Sequence, residues 1–339
     1  MQKKWLSLFQ YLFFLGLGIF LVWWSLQQIP AEKWNDFKLS LKSANYWLML
    51  PVVFILSASH LLRALRWKIL MQPLGFKPSL PNVFFAVMIG YLANLAVPRL
   101  GEVLKCTILS KYEKVPAEKL VGTILVERVF DVISLGIVFI IALVTQYDII
   151  GDYASALFNS LFANQFNKIS SFFGLAIIIG IAIITILLFT FIIKRYPQNK
   201  VSLLVKKVSK GIWEGLTSIR HLQKKGYFML YSILIWTLYI AGTWIGLWAT
   251  AGTAHLGLPA AISALAFASI GMIITPGGIG AYAFFLAKVL EKNNIPFEIG
   301  FANGTMQWFA QFLIVLIVGF CCLGLLPWYN KKKETHESN

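Results

Sequence analysis

Acidic residues are scarce in this chain, with 14 Asp and Glu among 339 residues against 30 Lys and Arg. Charged residues of both signs reach only 13%, while hydrophobic ones reach 58% and the mean hydropathy is +0.72. That balance excludes a soluble domain and leaves a polytopic membrane protein. Cysteine is equally sparse. Cys106, Cys321 and Cys322 have neither metal-ligand spacing nor a disulfide framework, and the adjacent pair sits in an apolar run as small hydrophobic filler. The chain carries no Walker loop, no GxSxG elbow and no cluster of metal-ligating residues, so neither a cofactor nor a metal is expected. The N-terminus imitates a secretory signal but lacks a small-residue cleavage pattern, which makes it an uncleaved first span.

What remains is a basic, greasy chain with a formal charge of +16. An excess of this kind reads either as nucleic-acid binding or as the cytoplasmic Lys/Arg bias of membrane proteins. Here the basic residues cluster between the apolar runs, which favours the membrane and no nucleic acid. Hydropathy and charge bias together predict an all-α chain of about six spans and two re-entrant hairpins, with both termini in the cytoplasm of a bacterial inner membrane. A first span near Phe9 to Leu26 and its outer loop fill 1–45. The second span, near Tyr46 to Leu62, ends inside at Arg63, Arg66, Lys68 and Lys77. His60, one turn before Arg63, is read as capping or interface packing, and the many Trp and Phe as interfacial belts.

Pro81 to Val97 makes a helix of about 24 Å, short against a hydrocarbon core of about 30 Å. It stops at Pro98 and Gly101 and turns into a second short helix, which reads as a hairpin from the cytoplasm, with two short tilted spans as the alternative; the hairpin's broken apex must line a cavity or be buried in protein. A long helix from Ala117 to Gln146 then leads outward. The region 147–226 supplies an outer loop, a span near Phe172 to Ile193 and a basic amphipathic helix at 200–225, suited to anionic inner-leaflet lipids or to service as a solvated linker. Tyr227 to Thr250 crosses outward again. Pro259 to Thr275, rich in small residues, breaks at Pro276, Gly277, Gly278 and Gly280 into a second hairpin, entered from outside. The last span, near Ile299 to Leu326, precedes a disordered tail at 328–339. Two Pro/Gly-broken segments at matching places in oppositely directed halves, 46–146 and 227–327, predict an inverted-repeat transporter with its site between them.

Three acids are expected at membrane depth, Glu102, Glu127 and Asp131; the others fall in loops, tails and interfacial turns. Thr123, Glu127 and Asp131 follow i, i+4, i+8 and share a helix face, with Arg128 beside it. Intramembrane charges mark a pathway or site by default. The plainer alternative is an internal network in which Glu127 or Asp131 neutralises Arg99 or Arg128. Arg99 offers a planar fork for phosphate, Lys105 and Arg128 add positive field, and the acids suit a cationic head group or proton carriage. Those three cations balance the three acids, which leaves the ligand's charge open. Asn303, Gln307 and Gln311 repeat the i, i+4, i+8 spacing in the second half. Glu127 lies 29 residues after Pro98 and Gln307 lies 31 after Pro276, so the two stripes are expected to face each other across one cavity; the plainer alternative is that the amides merely join neighbouring helices.

The run Gly90, Asn94, Pro98-Arg99-Leu100-Gly101-Glu102, Lys105, Thr123, Glu127-Arg128 and Asp131 resembles the signature of the lysylphosphatidylglycerol synthase transmembrane-region family. The stretch Thr275-Pro276-Gly277-Gly278-Ile279-Gly280 resembles that family's second motif. Lys105 stands where relatives commonly have Arg, and Ala283 lies where they often carry Glu. The resemblance, which includes the flippase part of the multiple peptide resistance factor, implies translocation of a phospholipid or polyprenyl-linked head group between leaflets. It further implies that the chain is no enzyme, since the soluble aminoacyl-transfer domain of two-part members is not expected after the last span. Two rivals are a membrane-embedded transferase acting on a lipid-linked sugar, with Glu127 or Asp131 as base, and a scaffold recruiting an enzyme through the basic helix. Oligomeric state is open.

Overall fold

The computed structural model describes residues 29–97, 99–147, 149 and 217–337, with isolated positions before residue 28 and at 210 and 213. Most of the expected first span, the outer loop after residue 149, the span near Phe172 to Ile193, Pro98 and most of the basic helix at 200–225 lie outside the described residues. At the described end of that helix, Ser218–His221 forms a short 3-10 turn and Lys225 already opens the next long helix.

The described residues hold nine α-helices and no strand: α1 (Trp34–Lys42), α2 (Met49–Met71), α3 (Leu80–Ala96), α4 (Leu100–Glu113), α5 (Ala117–Thr145), α6 (Lys225–Trp248), α7 (Leu258–Ile274), α8 (Ala281–Lys292) and α9 (Phe297–Glu337). Four are long and apolar enough to cross a membrane: α2 with its flanking turns, α5, α6 and α9 as far as Lys332. The helices α3 and α7 are apolar but shorter.

Sequence chemistry sets the ends of both short helices. Each opens with a proline in its first turn, where no intrahelical N–H is needed. Each closes on an extended residue, Val97 at φ −137° and Thr275 at φ −118°. The chain then turns through left-handed backbone, at Arg99 (φ 65°) in one case and at Gly277 (φ 59°), Gly278 (φ 74°) and Gly280 (φ 72°) in the other. Glycine also sets how closely the pairs approach. A Cβ on Gly101 would fall on the carbonyl oxygen of Gly90, and one on Gly271 would lie 2.5 Å from the carbonyl carbon of Ala281. Backbone therefore meets backbone in both pairs.

The helices α2 and α6 pack along each other, α3 lies against α4 and α9, and α7 lies against α8 and α5. Leu95 of α3 touches Gly277, so the two helix breaks meet. At one end of the bundle the Asn45 N–H donates to the Ala249 carbonyl (2.8 Å), Gln146 donates to Asn293 (2.8 Å), and Ser263 donates to Gln146 (2.7 Å). At the other end Asn82 and Asn330 exchange amide hydrogen bonds of 2.8 Å, and both Ser79 and Asn82 donate to Glu113.

Two boundaries differ from expectation. The helix α2 does not end at Leu62 but continues to Met71, because the charges of Arg63 and Arg66 are met by carboxylates from α5 and need not reach water. The helix α9 runs through Pro327 to Glu337 where a span ending at Leu326 and a disordered tail were expected. Asn330, held by Asn82 and donating to the Leu326 carbonyl at 2.8 Å, carries the helix past the proline.

Candidate functional site: an ion network beside an amphipathic cavity

The spacing of α2 puts His60, Arg63 and Arg66 on one face, and that of α5 puts Glu127 and Asp131 on another. The two faces meet. Arg66 donates to Asp131 Oδ1 at 2.7 Å and reaches Glu127 Oε1 at 3.4 Å, while Arg63 donates to Asp131 Oδ2 at 2.8 Å and reaches Glu127 Oε1 at 3.5 Å. One guanidinium thus sits on each Asp131 oxygen, with a charge-assisted bond of the short kind. Arg63 also donates to the Tyr239 hydroxyl at 2.8 Å and Arg66 to Ser232 at 3.3 Å, both from α6. Three helices are pinned by two arginines.

Lys105 of α4 joins from the far side. Its ammonium is 3.9 Å from Glu127 Oε2 and lies over the rings of Trp67 and Tyr91, 5.3 and 5.1 Å from their centroids. Neither that nitrogen nor that oxygen has a hydrogen-bond partner, and only 1% of Lys105 and of Glu127 is exposed. Aromatic faces compensate part of the ammonium's lost hydration. Arg128 of α5 faces away from this core. It reaches Glu102 of α4 at 3.3 Å and Asp131 at 3.9 Å, and its side chain is 40% exposed against 0% for Arg66.

A cavity of about 450 Å³ opens beside the network. His60, Arg63, Glu102, Arg128 and Asp131 line it, together with the neutral polar Thr243, Ser269, Tyr282, Gln307 and Gln311. Leu56, Leu95, Val132, Leu265, Met272 and Phe312 are among its apolar walls. Charged groups set among aliphatic walls fit a molecule with a polar head and an apolar body.

The profile of the family described as "Lysylphosphatidylglycerol synthase TM region" matches residues 11–319. The chain belongs to this family. A "UPF0104 membrane protein MJ1595" of Methanocaldococcus jannaschii is 23% identical over 306 residues, covering 85% of this chain and 87% of that relative. No solved structure matches. The family match spans every residue of the network and the cavity, which makes both part of a shared membrane region and not an appendage to it.

Within this lysylphosphatidylglycerol synthase TM region, the expected site residues divide. Glu102, Lys105, Glu127, Arg128 and Asp131 come together as one network. Arg99 does not join it: the residue is exposed, in left-handed backbone at the start of α4, and neither Glu127 nor Asp131 pairs with it. Arg63 and Arg66 take the place foreseen for it. Asn94 lines the cavity, yet its side chain accepts from the Gly101 N–H at 2.7 Å and so serves the first turn of α4. Thr123 is buried away from the cavity, accepting from the Trp67 indole at 2.9 Å and donating to the Leu120 carbonyl.

The amide stripe divides too. Gln307 and Gln311 line the same cavity as Asp131 and Arg128, but Glu127 does not reach it. Asn303 donates to the Gly246 carbonyl at 2.9 Å and sits 3.0 and 3.2 Å from the Thr250 and Thr253 hydroxyls, tying α9 to the end of α6. Of the expected apex residues, Gly277 lines the cavity and its carbonyl accepts from the Trp308 indole at 2.7 Å. His60 is no cap: it lies within α2, lines the cavity and sits 5.2 Å from the Tyr91 ring. Glu298, expected at an interfacial turn, is buried in the first turn of α9.

Sequence reasoning missed Arg63 and Arg66 by treating them as the inner end of a span. The signal was present. Trp67, Ile69, Leu70 and Met71 continue apolar beyond them, and spacing of three from His60 marks a polar stripe inside a greasy helix and not its frayed end.

Proposed function

We propose that this protein is a lipid translocase, moving a phospholipid or polyprenyl-linked head group between leaflets without covalent change. The observation that carries the reading is the amphipathic cavity whose wall includes members of a buried ion network. Charges at such depth cost several kcal/mol unless paired or wet, and this network stands where a head group needs a polar waypoint.

The architecture we infer is an inverted repeat of 46–146 and 227–327, with α3–α4 and α7–α8 as re-entrant hairpins. Support comes from the packing: α2 lies on α6, the hairpin helix α3 lies on the long helix α9, and α7 lies on α5. Two halves related by an in-plane axis exchange partners in this way. The end-to-end hydrogen bonds agree, since Asn82 of α3 meets Asn330 of α9 and Ser263 of α7 meets Gln146, the residue that follows α5. With the Lys/Arg bias, Asn82 and Asn330 face the cytoplasm of a bacterial inner membrane and Ser263 and Gln146 face outward.

The test is reconstitution of the purified chain into liposomes carrying head-group-labelled lipids, with a membrane-impermeant quencher outside. Quenching beyond the outer-leaflet fraction, relative to protein-free vesicles, is the expected result. Unchanged quenching across the whole lipid panel sinks the reading, and appearance of a modified lipid favours a transferase instead.

A further inference from the structure

We infer that the site selects lipids whose head group carries a net negative charge, a phosphate ester without a compensating amine, and that Arg128 holds that phosphate. The inference rests on the translocase reading and names its substrate class. Arg63, Arg66, Lys105 and Arg128 face Glu102, Glu127 and Asp131 within one connected network, so four cations meet three carboxylates and one positive charge is left over. With the exposed Arg99 outside the network and two arginines of α2 inside it, the balance expected from sequence becomes an excess. A monoanionic head group brings the filled site to neutrality, whereas a zwitterionic one leaves the excess in place and a cationic one doubles it. In a low-dielectric site an uncompensated charge is the costly state.

Geometry assigns the phosphate to Arg128. Arg63 is held by Asp131 at 2.8 Å and by Tyr239, Arg66 is held by Asp131 at 2.7 Å and does not line the cavity, and Lys105 is walled in by Trp67, Tyr91 and Glu127. Arg128 alone combines a place on the cavity wall with loosely held charge: its side chain is 40% exposed and its contacts to Glu102 and Asp131 are long, at 3.3 and 3.9 Å. A planar fork held only by long contacts suits a phosphate oxygen pair. Glu102, whose Oε2 is also without a partner, competes for the same guanidinium and keeps the empty site from carrying a bare cation. A phosphate that takes Arg128 need only outbid two long contacts.

The experiment compares labelled phosphatidylglycerol, phosphatidylethanolamine and lysylphosphatidylglycerol (net charges −1, 0 and +1) in the same liposomes, for the full chain and for Arg128→Gln and Glu102→Gln. Phosphatidylglycerol is expected to cross about tenfold faster than phosphatidylethanolamine in the unaltered chain. Arg128→Gln removes the excess charge and should abolish that preference. Glu102→Gln raises the excess to two and should favour a doubly charged phosphatidic acid. Inhibition by unlabelled polyprenyl phosphate assigns the phosphate to a polyprenyl carrier; resistance to it assigns a glycerophospholipid, and either result presupposes anion selection. Equal or faster crossing of phosphatidylethanolamine or lysylphosphatidylglycerol overturns the inference while leaving the translocase reading intact. No crossing of any lipid overturns both. Should Arg128→Gln fail to fold, the shift in Glu102→Gln still decides, because unchanged selectivity there contradicts the charge count.

Discussion

Arg66 and Asp131, 65 residues apart in sequence, form the shortest ion pair of the network at 2.7 Å, and the guanidinium is wholly buried. A pair of this kind is weak evidence for net stability, but breaking it from one side leaves a charge stranded in a dry interior. Arg66→Met or Asp131→Leu alone should therefore cost roughly 3–5 kcal/mol. The double variant should recover part of that loss, because neither charge remains. Thermal unfolding of the four proteins in detergent gives the cycle directly, and additive losses would mean that the two residues do not act on each other.

Gly101 and Gly136 separate close approach from helix propensity. A Cβ at Gly101 has no room against Gly90 and Asn94, while one at Gly136 meets nothing within 4 Å. Gly101→Ala is expected to lower the yield of folded protein severely. Gly136→Ala should be neutral or gain up to about 1 kcal/mol from helix propensity. Size-exclusion profiles and melting temperatures of the pair provide the check; equal behaviour would remove the argument for tight apposition of α3 and α4.

The amide stripe of α9 should split by role. Asn303 is fully buried and bonded to the end of α6, so Asn303→Ala is expected to destabilise by about 1–3 kcal/mol through its stranded partners. Gln311 lines the cavity, and Gln311→Ala should leave the melting temperature close to that of the parent and slow lipid movement. A reversal of the two phenotypes would assign the stripe wrongly.

Arg99→Lys provides a sharp contrast with Arg128→Lys. The first residue is exposed and outside the network, so its replacement should leave transport within about twofold. The second loses its fork and should slow phosphate-bearing lipids while keeping the charge. Transport rates in liposomes decide, and a defect confined to Arg99→Lys would return the phosphate to the apex.

Sidedness is testable at exposed positions. In a chain freed of Cys106, Cys321 and Cys322, single cysteines at Ser43 and Ala254 should react with an impermeant maleimide on intact cells, and those at Lys77 and Lys224 only after permeabilisation. Labelling of all four from outside would overturn the orientation read from the Lys/Arg bias.

The helix ends around the breaks were legible because proline and glycine act locally: α3, α5, α7 and α8 begin and end within about two residues of where Pro81, Ala117, Pro259, Thr275 and Leu290 put them. Membership in the network was legible for Glu102, Lys105, Glu127 and Asp131, since a buried charge stands out against an apolar run. Partners were not. Which cation meets Asp131 depends on how α2 rotates against α5, a packing outcome that no local spacing encodes. Arg63 and Arg66 were hidden by position, lying where charge bias ordinarily marks the edge of a membrane. Asn303 failed for the converse reason: its i, i+4 relation to Gln307 places it on the right stripe, and the bend of the chain after α6 brings Thr250 and Thr253 within its reach first.

The contact between Gly101 and Gly90 has a mechanical consequence. With α3 and α4 touching through backbone, and with the Gly101 N–H held by Asn94, neither helix can pivot on the other without breaking atoms that have no side-chain slack. The same is true of α7 and α8 at Gly271. Each pair is then a stiff lever, and compliance is confined to surfaces where long side chains meet, above all the one between α2 and α5. There each of Arg63 and Arg66 touches both Asp131 and Glu127, at 2.8 and 3.5 Å for the first and 2.7 and 3.4 Å for the second, so the ion network is the joint between the two stiff pairs and the rest of the bundle.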